Sequence, residues 1–332
     1  MIKTRDPVFD IMKGSAILFV IMSHTECPWL SFHAFAYLRS PLFFVVSGYF
    51  AKEWFFCDFM KNGAKRLVIP LAFTSAVMLP IAYVLDVLYG TRSFDIALKS
   101  IILGTASWPI PLGEVYVLSV GPLWFIWATI LVRIYWSLLQ KIKIEKLRGS
   151  VIFVLAIVAY QTKAYVTLPF SIQASFGALG FFYAGYLIKK NNLLENNMGK
   201  KMFTFCLIAL VYCVGFSNLD VNLCVYGAFY VVDVLAVVAA FFILHAAITR
   251  YKTETKFWSL MNFVGRYSLV ALCVHAIDQN ILVYWFPFKI WSSFKGPFEI
   301  VCAMSLRMIF VVFITFLVSK NKFLCEKIFF IK

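Results

Sequence analysis

The chain has 332 residues, 62% hydrophobic and only 14% charged, whereas soluble globular domains carry about 25% charged residues, so water is not its solvent. Its net charge of +15 would suit nucleic acid if the basic residues formed one stripe, but they punctuate apolar runs, which excludes that partner and points to membrane topology. The 36 Phe and 9 Trp suit lipid-facing surfaces and the aromatic belts at membrane interfaces.

An apolar stretch of roughly 20 residues crosses the hydrocarbon as a helix. In chain order the sequence predicts ten spans, at about 8–26, 35–56, 67–89, 122–140, 149–168, 171–189, 201–217, 225–249, 260–285 and 298–319. The first holds Lys13 and His24 and lacks a small-residue cleavage site, so it is expected to stay as a span and not act as a signal peptide. The segment 94–118 is broken by Pro109, Pro111 and Gly113 and is expected as an outer loop with a short interfacial helix. With the N-terminus inside, the cytoplasmic segments carry 21 Lys and Arg against 6 outside, which by the positive-inside rule puts both termini in the cytoplasm. The expected fold class is therefore an all-α integral membrane bundle of about ten helices, a single polytopic domain over residues 1–332 with no appended soluble domain. The 8 Cys are scattered singly, with no CxxC pair and no Cys/His spacing for zinc, so they read as small core residues and no metal is expected.

An ionisable side chain within a span costs about 2.5–3.5 kcal/mol on insertion scales, so each one that persists calls for a reason. The first helix has three, Asp10, Lys13 and His24. Lys13 and His24 are eleven positions apart, about 1100° of helical rotation or roughly 20° from eclipsed, with about 16 Å of rise. They face the same way, one near each leaflet. That separation is comparable with the pantetheine arm of coenzyme A: a cation at Lys13 would hold CoA phosphates while the thioester reaches His24. Histidine is a natural general base for a hydroxyl because its pKa lies near working pH. The competing reading is that Lys13 snorkels to the cytoplasmic interface and His24 sits among outer headgroups.

Six fragments in chain order bear on that choice. "DIMKGSAILFVIMSH" runs from Asp10 to His24; "PLFFVVSGYF" holds Ser47, Gly48 and Tyr49; "KRLVIP" holds Arg66 and Pro70; "GPLWFI" holds Trp124; "FFYAGYLIKK" is small and aromatic; and "VGRYSLVALCVH" holds Ser268 and His275. Taken together they resemble the acyltransferase family 3 membrane proteins, which include sugar O-acetylases of bacterial envelopes. That resemblance covers residues 10–275 and implies a multi-pass protein of the bacterial inner membrane with acetyl-CoA or another acyl-CoA as donor. The implied acceptor is a cell-surface or lipid-linked saccharide. It further implies His24 as the catalytic base, Lys13 at the position where the family more often has Arg, and Ser47, Gly48 and Tyr49 at its Ser-Gly-Phe element. Lys in place of Arg replaces a bidentate phosphate grip with a point charge.

Each remaining position has a plainer alternative. Gly48 would permit close helix packing, Ser47 would bond its own helix backbone, and Trp124 would serve equally as belt residue or sugar platform. Asp10 and Arg66 join Lys13 as donor-side candidates, although Arg66 is also an ordinary positive-inside residue. Ser268 joins the acceptor side. His275 is expected at the depth of His24, with Asp278 one turn on to orient its imidazole. Arg133, Asp233 and Arg307 are expected in structural ion pairs, while His33 and His245 earn no catalytic role from position. The rival function is a transporter or polysaccharide flippase, against which stand the absence of an inverted repeat and the Lys13 to His24 spacing.

Overall fold

The computed structural model describes residues 6–24, 36–51, 56–90, 93–104, 110–112, 115–117, 120–216, 219–221, 224–226, 230–250, 255–280 and 296–331. In chain order its longer helices are α1 (Pro7–Ser23), α2 (Ser40–Tyr49), α3 (Lys65–Tyr89), α4 (Ser93–Leu103), α5 (Trp124–Leu139), α6 (Glu145–Thr162), α7 (Ile172–Lys190), α8 (Asn197–Phe216), α9 (Tyr230–Arg250), α10 (Lys256–Arg266), α11 (Ser268–Asn280) and α12 (Pro297–Lys320). A short antiparallel hairpin, β1 (Ile110–Leu112) with β2 (Val115–Val117), follows α4. The segment expected as a loop with one interfacial helix thus holds α4 and this hairpin.

Among the described residues five helices are long and apolar enough to cross a membrane: Phe59–Tyr89, Gly121–Leu139, Asn197–Val214, Tyr230–Arg250 and Phe298–Lys320. A sixth is added if α10 and α11 count as one broken span. Several of these helices turn apolar stripes outward: Val84, Val87 and Leu88 on α3, Phe205, Ile208 and Val211 on α8, and Leu306, Ile309 and Phe313 on α12 are all exposed. Apolar side chains three and four positions apart on an outer face suit lipid, not water, and the chain is a multi-pass membrane protein. Helices α1, α2, α6 and α7 fall on four further expected spans but are too short or too polar to pass the same test alone. Helices α1, α2 and α7 bury more than half of their residues and form an inner layer, whereas α6 turns Phe153, Val154, Ile157 and Val158 outward.

Two glycine crossings set this inner layer. A Cβ added to Gly14 of α1 would run into the backbone carbonyl of Met261 on α10, and one added to Gly265 would run into the carbonyl of Asp10. In the same way Gly48 of α2 lies on the carbonyl of Phe182 and Gly185 of α7 on that of Val45. Small residues let helix backbones approach this closely, which is how helices gain packing energy where no hydrophobic drive separates protein from lipid.

The expectation of one helix over 260–285 is corrected here. The chain bends by 80° between α10 and α11, and the Tyr267 N–H turns back to the Gly265 and Phe263 carbonyls. Helix α10 buries Met261, Val264 and Gly265 while Lys256, Phe257 and Arg266 stay exposed, the one-sided pattern of a helix lying along a surface. Docking that face on α1 through Gly265 fixes its direction, so the chain must turn before α11 can carry His275 inward. Residues 281–285 of the expected span lie outside the described residues.

Candidate functional site

Helices α1, α2, α5 and α11 enclose a cavity of about 350 Å³. Its wall includes Lys13, Ile17 and His24 from α1, Ser47 from α2, Trp124, Thr129 and Arg133 from α5, and Ser268 and Leu272 from α11. Lys13 and His24 therefore open into one space, as their spacing along α1 predicts. They are eleven positions apart along the helix, about 16 Å of rise, so they mark its two ends.

His24 is the C-cap of α1, its backbone N–H turned to the Ile21 and Met22 carbonyls, and its Nδ1 lies 2.9 Å from His275 Nε2. His275 is fully buried on α11, and its Nδ1 lies 3.4 Å from Asp278 Oδ2. The same carboxylate oxygen accepts from Arg307 Nε at 2.5 Å, and Arg307 Nη1 donates to the His24 backbone carbonyl at 2.7 Å. These contacts close a ring through α1, α11 and α12.

Between two facing imidazole nitrogens one must carry the proton. A carboxylate beside His275 Nδ1 favours the proton there, which leaves His275 Nε2 to accept from His24 Nδ1–H. His24 Nε2 is then the nitrogen left as an acceptor. This tautomer follows from the 2.9 Å imidazole pair and from the Asp278 charge 3.4 Å from His275 Nδ1.

The other end is cationic. Lys13 Nζ pairs with Asp10 Oδ1 at 2.6 Å one turn back; Asp10 is buried and is not part of the cavity wall. Arg133 does line the wall, and among the described residues the charge acting on it is that of Arg66 and not a carboxylate. The expected structural ion pair for Arg133 is thus corrected: its environment is a second cation. Arg66 itself is exposed on α3, beside the cavity and not in its wall.

Ser47, Trp124 and Ser268 line the cavity, whereas Gly48 and Tyr49 do not. Gly48 serves the α2–α7 crossing, and Tyr49 stacks on Phe9 at 4.7 Å with Lys189 Nζ 5.1 Å above its ring. Neither His275 nor Asp278 lines the cavity: both are buried behind His24, which alone of the three opens into it. Arg307 forms the ion pair expected of it, and Asp233 accepts from the Tyr37 hydroxyl at 3.2 Å and lies 3.5 Å from Cys213 Sγ. His245 packs against Phe9 and Phe241, and His33 lies outside the described residues. Sequence reasoning passed over Arg39 and Asp220, which line the cavity near His24. Both sit in interhelical segments, where no periodicity signals which way a side chain points.

A family model described as an acyltransferase domain matches residues 6–319. Over 89 residues the chain is 34% identical to nodulation protein NolL of Sinorhizobium fredii (strain NBRC 101917 / NGR234), a match taking in 22% of this chain and 24% of that protein. The chain spans about a quarter of the length of the curated relative it matches. No solved structure matches.

Proposed function

We propose that this chain, which belongs to acyltransferase family 3, moves an acyl group, acetyl in the simplest case, from acyl-CoA to a hydroxyl of a cell-surface or lipid-linked saccharide. The observation that carries the reading is the 2.9 Å contact between His24 Nδ1 and His275 Nε2 at one end of a cavity whose other end holds Lys13 and Arg133. Donor phosphates would rest at the cationic end, and the pantetheine arm would lay the thioester beside His24.

In the proposed reaction His24 Nε2 takes the proton from the acceptor hydroxyl as its oxygen attacks the thioester carbonyl. The C–S bond then breaks, and the CoA thiolate recovers a proton from His24 Nε2–H, so one imidazole serves as base and then as acid. His275 holds the His24 ring through Nδ1, and Asp278 stabilises the charge that develops on the pair.

In this reading the protein crosses the bacterial inner membrane ten times, with both termini in the cytoplasm, α10 along the inner surface and α11 rising to His24. Reporter fusions after Lys146, Asp220 and Lys327 should read cytoplasmic, periplasmic and cytoplasmic; a periplasmic reading at Lys327 overturns the ten-crossing topology. The reaction is tested by mass spectrometry of surface glycans from cells with the protein, without it, and with His24→Gln. One acyl mass on one sugar is expected only with the unaltered chain, and identical glycans in all three would overturn the reading.

A further inference from the structure

The two ends of the cavity differ in charge. At the inner end Lys13 and Arg133 line the wall, and Asp10 behind it pairs with Lys13, which leaves one positive charge in excess. At the outer end Arg39 and Asp220 line it together, close enough for the Asp220 charge to act on Arg39 and for the Arg39 charge to act on His24, and Trp124 lines the same cavity. A cationic end suits an anion. An end with one donor fork and one acceptor carboxylate carries no net charge and suits a neutral ligand whose groups both donate and accept, which describes hydroxyls.

The backbone under both side chains is ordered by its own hydrogen bonds. Asp220 and Val225 exchange two backbone hydrogen bonds, at 2.9 and 2.8 Å, closing a turn between α8 and α9. Lys163 Nζ donates to the Cys224 carbonyl at 3.0 Å and ties that turn to the end of α6. Leu219 and Val221 on either side of Asp220 are buried and also line the cavity. Arg39 is the N-cap of α2, its carbonyl accepting from Leu42 N at 3.1 Å.

We propose that Arg39, Asp220 and Trp124 form the acceptor subsite, and that its ligand is a neutral pyranose presenting adjacent hydroxyls. Asp220 accepts from one hydroxyl, Arg39 donates to its neighbour, the apolar face of the sugar lies on Trp124, and a further hydroxyl is left pointing at His24 Nε2. The proposal rests on acyl transfer at His24.

The test uses the full chain in nanodiscs, radiolabelled acetyl-CoA, and the glycolipid and polysaccharide fraction of the producing cell as acceptor. Asp220→Asn keeps the shape of the side chain and removes its charge. It should raise the acceptor KM about tenfold, the scale of one hydrogen bond to a charged group, while the acetyl-CoA KM stays within about twofold. Arg39→Gln should give the same split, which a purely structural ion pair would not. An unchanged acceptor KM, or an equal rise in both constants, overturns the subsite. So does loss of folding in both variants, since the pair is then a structural tie. His24→Gln in the same assay keeps the two ideas apart: transfer that survives this change removes the base, whereas the KM split is read independently of it.

Discussion

The outer and inner ends of the cavity are built on different plans. At the outer end His24 is gripped twice from far along the chain, its ring by His275 and its backbone carbonyl by Arg307. At the inner end Lys13 is paired within its own helix, to Asp10 three residues back. A ring that must present one nitrogen to a reacting hydroxyl needs its orientation fixed to within a hydrogen bond, whereas a charge that anchors a flexible polyanion needs only to be near. In the proposed reaction, changes at the outer end should therefore fall on turnover and changes at the inner end on donor affinity.

The largest effect is expected at His24. A hydroxyl attacks a thioester poorly unless a base takes its proton, a contribution of typically 10²- to 10⁴-fold. His24→Ala and His24→Gln should insert and fold, still bind acetyl-CoA, and lose transfer by at least about a hundredfold; an amide can hydrogen-bond to His275 but cannot take the proton. Near-normal transfer by either variant in a reconstituted assay would remove His24 as the base and, with it, the contrast between the two ends.

Behind His24 the expected effect is smaller and splits into two measurable parts. Arg307→Met leaves Asp278 buried without its cation, a loss of about 3 kcal/mol for a broken buried pair, so it should lower the melting temperature. Asp278→Asn with Arg307→Met removes both charges and should recover much of that stability. If Arg307 and Asp278 position His24 through His275, the stable double variant should still turn over about tenfold more slowly. Its acetyl-CoA KM should be unchanged and its pH–rate profile displaced. Full turnover with an unshifted profile would make the pair a structural tie alone.

The legible part of this site lies along single helices. Lys13 and His24 share one helix, so 3.6-residue periodicity is enough to place them in one cavity, and the three-residue step from His275 to Asp278 is equally local. Counting depth also brings His275 to His24, and that survives the 80° bend between α10 and α11 because α11 alone carries His275. The bend itself has no proline to announce it. It follows from Gly265 seating on the Asp10 carbonyl, a contact between residues far apart in sequence. Arg133 reads as one more charge in a span until α5 is seen to face the cavity, and Gly48 and Tyr49 belong to the α2–α7 crossing, which only the packed structure distinguishes from a substrate wall. Arg307 was legible as an ion pair, but not as the residue that holds the His24 carbonyl 283 positions away.

The smallest effect is expected at Lys13. Its ammonium is a point charge on a flexible stem, so Lys13→Ala should raise the acetyl-CoA KM by about five- to tenfold, somewhat less than a well-aligned hydrogen bond to a charged group contributes, and leave turnover at saturating donor nearly intact. The substitution also strips Asp10 of its ion pair, and a shift of α1 from that cause would mimic lost affinity. S-acetyl-pantetheine separates the two because it carries the thioester and arm but no nucleotide phosphates. If Lys13 grips phosphate, the unaltered protein and Lys13→Ala should use this shortened donor equally well. If the defect instead persists with the shortened donor, Lys13 acts on the shape of α1 and the cationic end has lost its proposed ligand. Lys13→Arg sharpens the same comparison: its planar fork can hold a phosphate through two hydrogen bonds, so its acetyl-CoA KM should fall to or below that of the unaltered chain while the shortened donor again registers no difference.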